Sequence, residues 1–185
     1  MKPVQRSALV DYQTYDDIRP AFRQEAMAAK AARRMHVGEH LTFLFENTLT
    51  IRYQIQEMMR TERMVRERDI LHELETYNAV LGGPGELGCT LLIEIDDPAE
   101  RAARLKEWYD LPTHLYARRE DGTRVRATFD EEQRGDGPLS SVQYLKFPMR
   151  GRAPVALGVD LRGLTLETAL NDEQHAALTS DLSDG

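Results

Sequence analysis

Between residues 41 and 78 the hydrophobic pattern changes its period, and the rest of the chain is read from that change. Leu41, Phe43 and Phe45 recur every second residue, the period of a strand over residues 40–45, and Glu46 and Asn47 close it. From Thr48, the expected cap, apolar residues recur at helical spacing to about Arg68. At about 100° per residue, Ile51, Ile55, Met58 and Val65 share one arc with Met59 at its edge, and this arc is expected to face the core. Glu62 falls in the middle of it. On the opposite side Tyr53, Glu57, Arg60 and Met64 stack on successive turns.

The same reading extends outward from this stretch. A helix is expected over residues 20–35, opened by Pro20 in its first turn, with Phe22, Ala26 and Ala29 at helical spacing. Its basic residues Arg23, Lys30, Arg33 and Arg34 read as a solvated face that complements the negative end of the helix dipole. Asp69 is expected to cap a second central helix carrying Ile70, Leu74 and Tyr77 and ending at Asn78. The glycines of residues 81–88 (Gly82, Gly83, Gly85 and Gly88) read as a turn, because no lysine, serine or helix start follows them where a phosphate loop needs one.

Beyond that turn, residues 89–95 form a strand signal and Pro98 opens a short helix through Trp108. Strands are expected over residues 113–118, 123–129, 141–147 and 153–161, the first two joined across Asp121 and Gly122. Residues 130–138 read as a polar loop and residues 171–182 as a closing helix. The fold class expected is α+β in one domain spanning residues 1–185. A helical region over about 12–80, with a long central helix, packs on a mixed, largely antiparallel sheet within 88–182, and a C-terminal helix closes it.

Composition narrows the functional classes. With 185 residues and 41% of them apolar, the chain can bury roughly two-thirds of its unfolded surface. A net charge of −7 disfavours wholesale attraction to nucleic acid or an anionic membrane, and Arg23, Lys30, Arg33 and Arg34 are the only local basic cluster weighed for nucleic acid. Cys89 is the one cysteine, so no internal disulfide is expected, and Met1 leads into the polar residues 2–7 instead of an apolar signal core. A cytoplasmic protein that neither enters a membrane nor binds nucleic acid is the expectation.

The candidate polar site gathers Glu46, Asn47, Tyr53, Gln54, Gln56, Glu57, Arg60, Glu62, Glu73, Tyr77 and Asn78. Amides beside a carboxylate and a guanidinium can hold a planar polar ligand or a partner's backbone. A carboxylate at Glu62, in an apolar arc, demands an answering group, and Arg66 one turn on is the local partner. A metal reading draws on Glu57, Glu62 and His72, with Asp69, Glu73 and Glu75 near in sequence. The spacing does not match a four-helix di-iron site, because Asp69 and Asp172, not glutamates, stand three residues before His72 and His175. The paired histidines His36 and His40 flank a glycine break, His114 lies at a strand start, and Cys89 reads as an inert core thiol. No cofactor is expected; a metal ion belongs only to the alternative reading.

Phe45 to Asn47 (FEN), Tyr53 to Arg60 (YQIQEMMR), Glu62 and Glu73 to Asn78 (ELETYN) together resemble the bacterial domain of unknown function 3501 family. The likeness extends to Leu9–Tyr12, Arg19 and Pro20, Arg33 and Arg34 before Gly38, Leu91–Ile95 and Ala156–Asp160. The family's role is unassigned, and what the resemblance implies is context: genes for a rubrerythrin-like di-iron protein and a cysteine-rich Fe–S oxidoreductase as frequent neighbours. One cysteine cannot supply the four thiolates of a typical cluster, so a cluster would belong to a partner. The expectation is a non-catalytic accessory or interaction protein of such a redox system, partnering the Fe–S oxidoreductase or the rubrerythrin-like protein through the Tyr53, Gln56, Glu57 and Arg60 face. The alternative is a small enzyme or a ligand- or metal-binding protein with a carboxylate-lined pocket on the central helices. Oligomeric state is not legible.

Overall fold

The computed structural model describes residues 1–131 and 137–183. A short 3-10 turn at Arg6–Ala8 precedes helix α1 (Tyr12–Ala31), strands β1 (Arg34–Val37) and β2 (Leu41–Glu46), and helices α2 (Thr48–Thr61) and α3 (Glu67–Asn78). Strand β3 (Leu87–Ile93), helices α4 (Pro98–Glu107) and α5 (Leu111–His114), and strands β4 (Leu115–Arg118), β5 (Arg124–Arg126) and β6 (Val142–Phe147) follow. The hairpin β7 (Ala156–Leu161) and β8 (Leu164–Ala169) leads to helix α6 (Asp172–Ser183). The expected polar loop at 130–138 falls mostly outside the described residues.

The fold is α+β, as the sequence led one to expect, but the strands divide between two antiparallel four-stranded sheets, ordered β1-β2-β3-β6 and β5-β4-β7-β8. Alternation decides which side of each strand is buried. Phe43 and Phe45 of β2 stand opposite Leu91 and Cys89 of β3, and Cys89 stands opposite Leu145 of β6. These residues form one core cluster with Ala117, Leu157 and Val159 of the second sheet, Trp108, and Leu178 and Leu182 of α6. The outward side of the first sheet carries Glu46, Gly88 and Lys146 in one register row. The helices build two smaller clusters, one around Ile51, Ile55, Met59 and Ile70 with Val4 and Leu9, the other joining Tyr15, Phe22 and Ala26 to Tyr53. Among the described residues no helix is long and apolar enough to cross a membrane.

Several boundaries differ from the sequence reading, each for an identifiable reason. Helix α1 begins eight residues before Pro20, because the Asp11 carboxylate accepts hydrogen bonds from the backbone N–H groups of Gln13 and Thr14 and caps it there. Pro20 thus sits inside the helix, on its exposed side. Asn47, not Thr48, caps α2, in a reciprocal box with Thr50.

The long central helix is two helices. Arg63 adopts a left-handed conformation with φ of 49°. Around it the Arg63 N–H bonds the Arg60 carbonyl and the Met64 N–H bonds the Met59 carbonyl, the pair of bonds of a Schellman stop. Glycine usually fills the left-handed position, so an arginine there gave no warning. The consequence falls on Glu62: it ends α2 as an exposed C-cap residue, not part of a buried arc, and Val65 is 76% exposed.

Candidate functional site

Helix α2 presents its polar face to α1. Tyr53 is buried against Phe22, ring centroids 6.1 Å apart. The Glu57 carboxylate accepts from the Tyr15 hydroxyl at 2.7 Å and from Arg19 through Nε at 2.8 Å and Nη2 at 3.0 Å. The Arg19 guanidinium above all, helped by the Tyr15 hydroxyl, holds Glu57 below the usual carboxylate range. Burial, reinforced by the same carboxylate, pushes the Tyr15 phenol well up. Arg60 pairs with Asp16 of α1. The face expected to recognise a partner is therefore occupied by α1 of the same chain.

The amides hold the N-terminal segment. Gln56, only 1% exposed, accepts from the Val10 N–H at 2.8 Å and donates to the Val10 carbonyl at 3.1 Å. Asn78 does the same to Val4, at 2.8 and 3.0 Å. Each side chain thereby behaves as a strand partner for one residue, and residues 1–10 become a strap over α2 and α3. At the head of α2, the Thr50 hydroxyl donates to Glu46 at 2.5 Å, and Asn47 reaches Asp181 of α6 at 3.4 Å. Asp181 is itself buried and takes a two-pronged bond from Arg33, Nε at 2.7 Å and Nη2 at 2.8 Å, so Arg33 is an internal tie and not part of a solvated face.

Glu57, Glu62 and His72 do not converge. Glu57 faces α1, while Glu62 and His72 are exposed at the end of α2 and on α3. Among the described residues no group of three or more histidine, cysteine, aspartate or glutamate side chains could hold a metal ion. Cys89 is fully buried, and burial pushes its thiol well above the usual range.

Two members of the expected site, Glu73 and Tyr77, instead line a cavity of about 610 Å³ between α3 and the first sheet. Glu73, Thr76 and Tyr77 share one face of α3 near its C-terminal end, and Ala79 and Val80 continue the wall just past it. The opposite wall is β6, through Tyr144 and Lys146, with Thr128, Phe129 and Asp130 beside it. Thr128 is fixed to β6 by two backbone bonds with Lys146, at 2.7 and 2.8 Å. The space between these walls depends on Gly88. A Cβ there would stand 1.9 Å from the Val80 carbonyl oxygen and 2.7 Å from the Gly82 nitrogen, so glycine alone lets the chain leaving α3 descend onto the sheet. Burial pushes the Tyr77 phenol up, the Gln54 amide pulls it the other way, and the charges of Glu73 and Tyr144 add to the rise.

The sequence reading missed Thr76, Phe129, Tyr144 and Lys146. A signal existed for one of them: alternation along β6 turns Val142 and Tyr144 outward, leaving Tyr144 46% exposed on a side where polar residues are expected.

With this geometry in place, comparison with known proteins separates fold from function. The model of a family described as a protein of unknown function, DUF3501, matches residues 3–182. The chain belongs to the DUF3501 family. Its fold also resembles a crystal structure of a novel protein of unknown function from Burkholderia pseudomallei K96243, with a TM-score of 0.88 and 26% identity over 98% of this chain and 100% of that one. No curated protein matches. Among the residues on which the resemblance was read, Tyr53 and Glu57 build the α1–α2 contact, Gln56 and Asn78 hold the strap, and Asn47 stands at the head of α2.

Proposed function

We propose that this DUF3501 protein is a non-catalytic accessory protein that binds a small organic molecule in the cavity between α3 and β6. The observation that carries the reading is the cavity itself. Its volume of about 610 Å³ lies within the usual range of small-molecule sites, and its walls combine aromatic faces from Tyr77, Phe129 and Tyr144 with a few polar groups. The polar residues once expected to recognise a partner are engaged within the chain, which shifts the weight from the α2 face to this cavity. In the redox setting that the family resemblance implies, such a protein supports a cluster-bearing partner, since its own thiol is buried in the core.

Thermal-shift measurement against a metabolite panel, alongside mass spectrometry of small molecules released on denaturing untagged protein, tests the reading. A ligand at about a hundred times its Kd adds roughly 2.7 kcal/mol, a readable rise in Tm. Thr76→Trp, which fills the cavity, should abolish the rise. A chain that releases nothing and responds to no compound lacks the proposed function.

A further inference from the structure

We propose that the outward side of the second sheet binds a phosphate group, free or as a monoester on a small molecule, between Arg118 and Arg124. This site is separate from the cavity between α3 and β6. Strand register builds it: β4 carries Tyr116 and Arg118, β5 sets Arg126 and Arg124 directly opposite them, and β7 places Gly158 beside Tyr116. A Cβ at Gly158 would run into the Tyr116 ring, so the missing side chain lets that ring lie across β7, where its hydroxyl donates to Glu167 of β8 at 3.0 Å. The Arg124 guanidinium rests on this fixed ring, 4.3 Å from its centroid.

The three arginines are engaged unequally. Arg126 donates through Nη1 and Nη2 to Asp160, at 2.8 and 2.7 Å, and to the His114 carbonyl at 3.1 Å. Arg118 donates to Glu167 through Nε at 3.0 Å, and its two Nη groups donate to nothing among the described residues. Arg124 donates no hydrogen bond to any described residue; the Asp160 carboxylate stands 3.6 Å from it, and its side chain is 51% exposed. Arg118 and Arg124 also oppose each other at a non-hydrogen-bonded position, because the Arg118 carbonyl turns the other way, to the Val155 N–H at 2.8 Å. Side chains come closest at such positions, and like charges there repel. A tetrahedral oxyanion held between the two forks replaces that repulsion with charge-assisted hydrogen bonds. Tyr116 beneath Arg124 and Glu167 on the Arg118 Nε order both side chains before a ligand arrives, which lowers the cost of binding. The carboxylates of Asp160 and Glu167 flank the pair and repel further phosphates, so the site suits one phosphate and not a polyanionic strand.

Calorimetric titration with inorganic phosphate and with phenyl phosphate, at constant ionic strength, tests the site. Binding of either should show one site per chain with a Kd of about 1 mM or tighter, and the tighter of the two names the preferred carrier. Arg124→Gln and Arg118→Gln should each weaken it about tenfold or more, and Arg124→Lys should recover only part, since an ammonium lacks the fork. Arg23→Gln, an exposed arginine on α1, should leave it unchanged. Circular dichroism confirms that each variant is folded, and the rise in Tm with phosphate should be present in the parent and lost in both glutamine variants. No binding of either compound at about 10 mM overturns the site. Equal weakening by Arg23→Gln would show diffuse attraction to surface charge and overturn it too. A single-stranded oligonucleotide that binds far more tightly than phosphate, and is released by Arg124→Gln, would overturn the assignment to a small ligand. Each of these outcomes leaves the cavity between α3 and β6 to its own test.

Discussion

Asn78 makes two hydrogen bonds to a single residue, Val4, which lies 74 positions earlier: its carbonyl oxygen accepts the Val4 N–H at 2.8 Å and its amide donates to the Val4 carbonyl at 3.0 Å. The bond pair, repeated by Gln56 on Val10, converts the first ten residues into part of the helical layer, burying Val4 and Leu9 against Ile51, Ile55 and Ile70. An amide side chain here does what a neighbouring strand does elsewhere. It satisfies a buried extended backbone that has no sheet to join.

Asn78→Ala should leave the Val4 backbone groups unpaired and cost about 1–3 kcal/mol, with amide exchange accelerated at Val4 more than at Phe43 in the sheet core. Asn78→Asp, which keeps an acceptor for the Val4 N–H but sets a carboxylate oxygen against the Val4 carbonyl, should cost at least as much. Hydrogen exchange resolved by residue reads the outcome, and equal acceleration at both positions would contradict a local strap.

The buried pair Arg33–Asp181 ties the end of α1 to α6, with side chains 11% and 3% exposed. Arg33→Ala should leave the Asp181 charge buried and cost about 3–5 kcal/mol in urea unfolding. A double variant, Arg33→Met with Asp181→Leu, should recover most of that loss, because removing both charges also removes their desolvation cost.

Glu57 and Glu62 lie five positions apart in sequence and should behave oppositely. Glu57→Ala strips the partner from Tyr15 and Arg19 and should destabilise by about 2–3 kcal/mol. Glu62→Ala, at an exposed helix end, should stay within about 0.5 kcal/mol of the parent. Next to it, Arg63→Gly should raise stability by roughly 0.5–1 kcal/mol, because an arginine pays a steric penalty at a φ of 49° that glycine avoids. Thermal unfolding of the three variants reads all of these effects.

Asp160 sets an acid limb. The Arg126 guanidinium, bound at 2.8 and 2.7 Å, together with His114, lowers its carboxyl from the ordinary 3.8 to about 2. A depressed pKa in the folded state means that ionisation favours folding. Its contribution is therefore fully present above about pH 4 and lost as the pH falls towards 2. Asp160→Asn should lower stability at pH 7 and flatten the loss between pH 4 and 2; an unchanged acid limb would show that Asp160 does not govern it.

Gly88→Ala should be among the most damaging small substitutions in the chain. The methyl would meet backbone at 1.9 Å, which no rotamer change relieves, so either β3 or the Val80 turn must shift. A loss of about 3 kcal/mol or more is expected in chemical unfolding, and because Val80 lines the cavity, any ligand-induced thermal shift should shrink with it.

The sequence by itself determined much of what depends on neighbours along the chain. Alternation at Leu41, Phe43 and Phe45 specified β2 and its buried side, Ile51 and Ile55 specified the inner side of α2, and the period change at Thr48 marked where strand gives way to helix, with the cap itself one residue earlier at Asn47. It also singled out Gln56, Glu57, Glu73, Tyr77 and Asn78 as polar groups with work to do. What those groups do was settled only in three dimensions. A hydrogen-bonding group carries its capacity in its identity, but its partner is fixed by whichever segment packs against it. For Gln56, Glu57 and Asn78 those segments are Val10, Tyr15 with Arg19, and Val4, at separations of 38 to 74 residues that no local period records. The stop at Arg63 was hidden because its left-handed backbone is held by bonds to Met59 and Arg60 and not by a glycine. The cavity was hidden for the deeper reason that a void belongs to no residue: it exists where α3 and β6 fail to touch, and a bare Cα at Gly88 sets how the chain between them descends.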